Sequence, residues 1–577
     1  MKNKEVVDLL NRFGTLLEIK GDIFFKVRAY YKAAEAIEAL GEDIEHVAKE
    51  NRLREIPGIG AEIDAKIKEF LATGKVRAYQ ELTKEVPESL LELVEIPSVG
   101  PKKAKMFFDK LGVRSREDLA DALAKGKLDG LPGLKEKAIQ NIIKGLKLVQ
   151  EGHERMNLGV ATATAELIIE DLSKLPEVKD ISTAGSLRRQ RETIRDIDIL
   201  IVSPKPQKVM EHFLKLPAVK SVNAHGETKS SILTHEGVQV DLRVVEPSQW
   251  GAALLYFTGS KNFNVKIRQI AIRKKMKVSE YGVFKVSGSR ETLLASKTET
   301  ACFKALGLPY IPPELREDIG EAELFPAKGA PNIPKLIELS DIKGDLHVHS
   351  QYSDGHNTIA EMAAAAQKRG YEYLAISDHS AKLKVAGGVS PQDLIKKKKE
   401  IETLNAKLKG FRVLFGTELE IDTEGNLDYN DKILSEFDFV VASVHSGFEQ
   451  SREKITRRII NACRNKHVHA IGHPTGRHIG KREGYDLDLK EVCKAAVDTG
   501  TLLEINSFPI RLDLDSANIY FARSMGVKFT INTDSHHVDH LEVMRFGVSL
   551  ARRGWLTAGD VVNTLSLRGL LGSLKKH

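Results

Sequence analysis

From residue 341 onward the chain repeats one pattern: a short run of β-branched, aromatic or other apolar residues, then a polar terminus, then a helix-like stretch. The runs are DLHVHS, YLAISDHS, VLFGTELEI, FVVASVHS, AIGHP, LLEINS and KFTINTDSHH. Strand and helix in strict alternation predict a parallel sheet, because a parallel neighbour is reached only through a crossover. Enough such units close into a barrel whose strand ends converge on one rim. What falls near those ends is His347-x-His349 with Asp354, Asp378-His379, Glu418, His445, His473 and Asp534-x-His536. One such histidine would ordinarily be a satisfied core or surface residue. Ten ligand-type residues spread over successive strands point instead to a metal cluster, and imidazoles mixed with carboxylates suit Zn²⁺ or Mn²⁺.

The chain has 577 residues, too many for one hydrophobic core, so several domains are expected. Its net charge of +7 is compatible with a nucleic-acid partner and is weak support by itself. No apolar run is long enough to cross a membrane, and the amphipathic N-terminus MKNKEVVDLL lacks the apolar core of a signal peptide. Cys302, Cys463 and Cys493 are scattered and odd in number, which fits a reducing cytosol rather than a disulfide framework.

The first ~150 residues carry apolar positions at helical spacing. Three segments there share an apolar-Pro-x-x-Gly-like turn followed by an amphipathic helix: IPGIGAEIDAKIKEF, IPSVGPKKAKMFF and LPGLKEKAIQNII. A helix that starts at a glycine turn offers free backbone N–H groups to a phosphate and reads no base. The segments resemble helix-hairpin-helix DNA-binding motifs. Gly58 and Gly60 of the first copy, and Gly100 with Lys102 of the second, are the expected DNA contacts; the third copy has Lys135 where its second glycine would fall.

Between these regions lies AGSLRRQRETIRDIDIL, followed by the strand-like VQVDLRVV. Asp196 and Asp198 stand two apart on a predicted strand and so share a face, and Asp241 comes from a second strand. Three neighbouring carboxylates repel one another unless divalent cations are bound, and two Mg²⁺ ions (or Mn²⁺) can serve nucleotidyl transfer. Gly185, Ser186, Arg188 and Arg189 precede the strand, supplying a turn and cations suited to a triphosphate.

Here the sequence is similar to the family X DNA polymerases, the group that includes DNA polymerase beta. The resemblance implies that Asp196 and Asp198 hold both metals and Asp241 the catalytic one, with Gly185, Ser186, Arg189 and Arg155 on the triphosphate. It also makes LLYFTGSKNFNVKIRQIA the nucleotide pocket: Tyr256 crowds a ribose 2′-hydroxyl, Phe257 packs sugar and base, Gly259 forms the turn, and Asn264 and Arg268 probe the new pair and the template. Gln190 stands in place of the usual glycine, and Lys261 where repair members often carry Asp. Lys66 falls where repair members place a lyase nucleophile, and Lys26, Tyr30 and Lys75 agree with that pocket. Phe25 replaces a histidine and Glu62 a lysine, which removes basic character from it.

The last part resembles the polymerase-and-histidinol-phosphatase (PHP) domain. That implies one metal on His347, His349, Glu418 and Asp534, a second on Glu418, His445 and His473, and a third on Asp354, His379 and His536, up to three ions in all. The combination is similar to the bacterial and archaeal PolX polymerases. The expected architecture is multidomain: an all-α helix-hairpin-helix region, an α+β nucleotidyltransferase palm, and a C-terminal α/β distorted TIM-like barrel. Expected boundaries are a lyase-like helical domain at 1–80, a second hairpin subdomain at 81–150, the palm at 151–245, a nucleotide-selection subdomain at 246–315, a linker at 316–340 and the PHP domain at 341–577.

The function implied is gap filling in DNA repair with 3′–5′ exonuclease or 3′-end processing, and the resemblance allows abasic-site cleavage or lyase activity. The alternatives are a PHP phosphoesterase, or a DNA-end scaffold, with an inactive polymerase half. Expected partners are gapped or primed DNA and deoxynucleoside triphosphates, with no membrane, for a monomer in the cytoplasm associated with the nucleoid.

Overall fold

The computed structural model describes residues 2–38, 40, 42–56, 58–96, 98–318 and 333–574. The chain divides into two compact units, Met1–His153 with Gly480–Glu483, and Glu154–Ile479 with Gly484–His577.

The first unit is helical. Its helices pack around Leu10, Phe13, Ile37, Ile67, Leu93, Phe107, Leu119 and Ile142. The three hairpin turns share one hydrogen bond: Ile59 N–H to the Ile56 carbonyl (3.1 Å), Val99 to Ile96 (2.9 Å) and Leu134 to Leu131 (3.1 Å). The third residue of each turn, Gly58, Ser98 or Gly133, has φ of 88°, 69° or 77°. That is the left-handed position of a type II turn, where Ser98 pays a steric cost that glycine avoids. The prolines of the first two turns, Pro57 and Pro97, lie outside the described residues.

Among the described residues, all the strands lie in the second unit: β1 (Met156–Asn157), β2 (Asp180–Thr183), β3 (Thr193–Ile194), β4 (Asp196–Val202), β5 (Val219–His225), β6 (Lys229–Thr234), β7 (Gln239–Val245), β8 (Met276–Ser279), β9 (Gly282–Ser287), β10 (Arg290–Ala295), β11 (Gly344–Val348), β12 (Tyr373–Ile376), β13 (Arg412–Glu420), β14 (Phe439–Ser443), β15 (Ala470–Ile471), β16 (Leu502–Asn506) and β17 (Phe529–Asn532). A five-stranded mixed sheet runs β2-β4-β7-β6-β5, with β4 and β7 parallel. Ile197, Ile199 and Ile201 of β4 and Val240, Leu242 and Val244 of β7 are buried in one core, so the alternate residues of both strands share the opposite face. The three-stranded antiparallel sheet β10-β9-β8 follows.

Strands β11 to β17 form one all-parallel sheet in sequence order. A parallel bridge between Val348 and Ser535 joins its two edges, making a nearly closed barrel of seven strands rather than the eight of a TIM barrel. All seven strand runs read from the sequence are present. Leu374, Ile376, Val413 and Phe415 pack outward with the flanking helices, while Tyr373, Ala375, Leu414 and Phe439 form a separate cluster with Val562 and Leu570.

The palm and barrel are not loosely tethered. One apolar cluster runs from the helix Leu158–Ser173 and the palm sheet into the barrel. A Cβ on Gly159 would stand 2.7 Å from Pro509. Glu166 meets Arg545 at 2.6 Å, and Ser516 donates its backbone N–H (3.3 Å) and its hydroxyl (3.2 Å) to Glu192. Of the expected linker, 319–332 lies outside the described residues; at its described ends Arg316 and Ile337 are fully buried.

Candidate functional site

The palm centre is built by register. Parallel pairing sets Asp198 directly opposite Asp241, and Asp196 lies one pleat before on the same face. Burial, with Asp196 and Asp241 nearby, pushes the Asp198 carboxyl up to about 7. Asp241 is held by the Ser231 hydroxyl (2.6 Å), the Gln239 amide (3.0 Å) and Lys229 Nζ (3.5 Å). Gly185 has φ +57°, and a Cβ there would stand 2.1 Å from Asp198 Oδ2. The glycine is therefore required twice, by backbone and by space. Ser186 follows it in the short helix Gly185–Arg188.

The two arginines after this turn have separate carboxylate partners. Arg188 meets Glu299 at 2.7 Å and donates to the Thr258 hydroxyl at 2.5 Å. Arg189 Nε meets Glu317 at 3.0 Å, and its Nη1 donates to the Thr258 carbonyl. Gln190 has φ +55°, which explains why glycine suits this position. Arg155 donates to the Thr193 hydroxyl (2.9 Å) and carbonyl (2.6 Å).

Tyr256 and Phe257 close the helix Trp250–Thr258 with their rings edge-on, centroids 5.1 Å apart. The Arg243 guanidinium lies 4.4 Å over Phe257, which ties the pocket turn to the strand that carries Asp241. The Asn264 amide donates to the Tyr256 carbonyl at 2.7 Å, and Arg268 Nε donates to the Asn264 carbonyl at 3.2 Å. Asn264 thus braces the turn, while Arg268 is bonded within its own helix. Gly259 has φ +67° and leaves room for Arg189 Nη1, which is 3.2 Å from where a Cβ would be.

In the barrel the expected ligands converge on Glu418. Its Oε2 lies 2.9 Å from His379 Nδ1, 3.3 Å from His347 Nε2 and 3.6 Å from His349 Nε2. Its Oε1 lies 2.9 Å from His473 Nε2 and 3.2 Å from His445 Nε2. Asp534 Oδ1 faces His349 Nε2 at 3.1 Å, and Asp354 faces His536 at 3.4 Å and His379 at 3.5 Å. Three groups could each hold an ion: His347, His349 and Asp534; His379, Glu418 and His445; and His349, Asp354, His379 and His536. His349 and His379 thus each face two groups, a sharing that the sets implied by resemblance do not contain. Asp534 has φ +55° and His473 φ +26°, backbone strain concentrated on ligand positions.

The donor set fits divalent cations. His347 Nε2, both ring nitrogens of His349 and His379 Nδ1 are buried and make no hydrogen bond. Burial, with His536 and His379 alongside, drives the His349 pKa down to about 4, which keeps its ring neutral as a ligand must be. The palm carboxylates fit for the opposite reason, an excess of negative charge.

Sequence reasoning passed over the groups that aim these ligands. Glu504 takes His347 Nδ1 at 2.7 Å and the His473 backbone N–H at 2.7 Å; Glu420 takes His445 Nδ1 at 2.7 Å. A carboxylate on the far nitrogen fixes tautomer and ring orientation. The glutamates stand in LLEINS and in the E-x-E of GTELEI, but those runs do not name their partners. Asp378 is no ligand here: it pairs with the fully buried Lys397 at 2.8 Å and accepts from Ser350.

In the helical unit, Gly60 and Gly100 precede the helices Ala61–Thr73 and Pro101–Leu111 in ordinary extended conformations, and a Cβ at either would meet nothing. Neither backbone nor packing demands glycine there; what it leaves is open space over the helix N-terminus. Lys102 is in the first turn of the second of these helices. Lys66 is 8% exposed, its ammonium paired with Glu62 and 5.3–5.4 Å from the ring centroids of Phe13 and Tyr30.

A palm with three carboxylates on adjoining parallel strands, joined to a parallel barrel lined with imidazoles, defines a nucleotidyltransferase-type palm fused to a PHP-type barrel. Comparison with known proteins agrees segment by segment. Residues 253–317 match the DNA polymerase beta thumb, 345–507 the PHP domain, 1–76 a helix-hairpin-helix domain and 90–148 a SAM-like helix-hairpin-helix tandem. The chain is 42% identical to the DNA polymerase/3′-5′ exonuclease PolX of Bacillus subtilis (strain 168) across 100% of both chains. It is 28% identical to the DNA polymerase lambda of Rattus norvegicus over 55% of this chain and 56% of that one. It is 35% identical to a probable phosphatase of Thermoanaerobacter sp. (strain X514) over 38% of this chain and 89% of that one. The chain belongs to the family X DNA polymerases that carry a C-terminal PHP domain.

Proposed function

We propose that this enzyme fills short gaps in DNA at the palm and removes nucleotides from 3′ ends at the barrel. The observation that carries the reading is the coexistence of two complete centres: Asp198 and Asp241 in register beside Asp196, and the imidazoles gathered around Glu418.

At the palm, Asp196, Asp198 and Asp241 hold divalent ions, Mg²⁺ or Mn²⁺. Such ions, when bound, lower the cost of ionising a 3′-hydroxyl and of releasing pyrophosphate. The remaining work falls to the chain. Ser231, Gln239 and Lys229 hold Asp241 beside the incoming 3′-hydroxyl. Ser186, Arg189 and Arg155 hold the triphosphate, and Tyr256 and Phe257 shape the pocket against a ribose 2′-hydroxyl. The 3′-oxygen bonds to the α-phosphorus as the bond to pyrophosphate breaks.

At the barrel, Glu418 and its histidines hold a Zn²⁺ or Mn²⁺ cluster, and Glu504 and Glu420 keep the imidazoles aimed. The bond broken is the terminal phosphodiester, with water as nucleophile. The open glycine turns at Gly58–Gly60 and Ser98–Gly100 grip the DNA backbone without reading sequence. Lyase chemistry at Lys66 requires its amine to leave Glu62, and we read Lys66 as a structural cation. We read the protein as a cytoplasmic monomer, by its likeness to the polymerase of Bacillus subtilis. Among the described residues no helix is long and apolar enough to cross a membrane.

The test is extension across a one-nucleotide gap with Mg²⁺ or Mn²⁺. Asp241→Ala abolishes extension if the reading holds; persistent extension removes the polymerase assignment. Loss of 3′ degradation in His349→Ala is the matching expectation for the barrel.

A further inference from the structure

Glu317, its side chain 10% exposed, is a carboxylate shared by the palm side and the barrel side of the second unit. From the palm, Arg189 Nε reaches it at 3.0 Å and Arg191 Nη1 at 3.8 Å. From the barrel, Arg553 Nη1 reaches it at 3.1 Å and also donates to the backbone carbonyl of Arg189 at 2.9 Å. Arg553 is the last residue of the helix Met544–Arg553 and is 3% exposed. Its neighbours fix it there. Arg552 meets Glu314 at 2.7 Å and the Ile337 carbonyl at 3.0 Å, and Trp555 is buried with Ile311, Leu315 and Leu336.

Neither Arg553 nor Glu317 belongs to the palm triad or to the barrel's ligand set, yet their arrangement has a direct electrostatic consequence. Arg189 is claimed twice, by Glu317 and by the incoming triphosphate. Arg189, Arg191 and Arg553 surround Glu317, with Glu192 close to Arg553 and Arg191, so the set carries one net positive charge. Without Arg553 two guanidiniums would face two carboxylates, and a polyanion entering beside Arg189 would meet a neutral set. In a partly buried site that charge is weakly screened.

We propose that Arg553, a residue of the PHP part, is a positioning residue for the incoming nucleotide: it neutralises Glu317, so that Arg189 keeps its charge and backbone position for the triphosphate. This rests on the reading of Arg189 as a triphosphate ligand. It makes the nucleotide affinity of the polymerase depend on a side chain of the nuclease half, through a docked contact and without any nuclease chemistry.

The experiment uses the full chain and single-nucleotide gap filling, with KM and kcat for the deoxynucleotide measured separately. Arg553→Met is expected to raise KM about tenfold while kcat stays within about threefold, the scale of losing one nearby charge. Arg553→Lys, which keeps the charge, retains most of the wild-type KM. Glu317→Gln, which removes the competing anion, lowers KM, and the double variant follows Glu317→Gln because there is no longer a carboxylate to neutralise. Degradation of 3′ ends by the same preparations reports that the chain is folded and should stay at wild-type level. An unchanged KM in Arg553→Met, with KM raised in Arg189→Ala, overturns the proposal and leaves the triphosphate reading standing. An unchanged KM in Arg189→Ala overturns that reading itself. If Arg553→Met fails to fold, Glu317→Gln decides: a KM equal to or above wild type overturns the proposal.

Discussion

Replacing Gly185 by alanine should silence the polymerase while leaving the rest of the molecule working. The native φ of +57° is a left-handed conformation that costs a β-carbon-bearing residue about 1–2 kcal/mol. The larger effect is steric. The new methyl would stand 2.1 Å from Asp198 Oδ2 and 3.1 Å from its Cγ, far inside contact distance. Overpacking of this kind costs ~1–3 kcal/mol. Asp198 is fixed from its other side by the β4–β7 register, so the conflict is relieved only by turning its carboxylate away from Asp241 or by shifting the Gly-Ser turn away from the triphosphate. Either displaces a reacting group by the order of 1 Å, for which losses of about 100-fold are usual. Gly185→Ala is therefore expected to lower kcat/KM for gap filling by about 100-fold or more, with 3′ degradation on the same preparation unchanged. Gap filling within about threefold of wild type, too small a loss for any displacement of the triad, would refute the argument that the glycine exists to admit Asp198.

Three further outcomes follow from the same geometry. Because the folded Asp198 carboxyl titrates near 7 rather than the ordinary ~4, the metal-free folded state holds a proton that the unfolded chain has released, and stability falls as pH rises between those values. Asp198→Asn should therefore stabilise the metal-free protein by about 2–4 kcal/mol at pH 8 and not at pH 4, in paired thermal melts; equal gains at both pH values would contradict it. Glu504→Gln should raise the Mn²⁺ concentration needed for 3′ degradation by roughly 10–100-fold without touching gap filling, since it loosens His347 and His473; an unchanged metal titration would show that Glu504 aims nothing. Ser98→Gly should raise the melting midpoint of the helical unit, worth up to about 1 kcal/mol, by relieving a left-handed serine, with DNA affinity unchanged; a lower midpoint would mean that the chain-entropy cost of glycine outweighs the strain.

Much of the fold was legible because its signals are periodic. Seven apolar runs became seven parallel strands, and the D-x-D pair landed on one face of β4 because a strand has period two. Features that depend on a residue's partner were not legible. Nothing in LLEINS says that Glu504 would face His347, and nothing in the Gly-Ser turn says that Glu299 and Glu317 would take its two arginines. Which ring nitrogen faces which neighbour was not legible either: His349 and His379 each present both nitrogens to different neighbours, and spacing along a chain does not say which nitrogen points where. The stretch around 316–340 is rich in Pro, Gly and charge and reads as a spacer; Leu336 and Ile337, at its described end, are nevertheless buried. The third hairpin forms the same turn as the other two despite Lys135, because only its third position, Gly133, needs a positive φ.

One chain carries two centres with opposing chemistry, separable by single substitutions. The direct measurement is a gapped duplex whose primer ends in a dideoxynucleotide, incubated with deoxynucleotides and Mn²⁺ and resolved by length. Wild type is expected to remove the blocked terminus and then fill the gap, Asp241→Ala to shorten the primer without filling, and His349→Ala to leave it at its original length. Filling by Asp241→Ala, or shortening by His349→Ala, would contradict that separation.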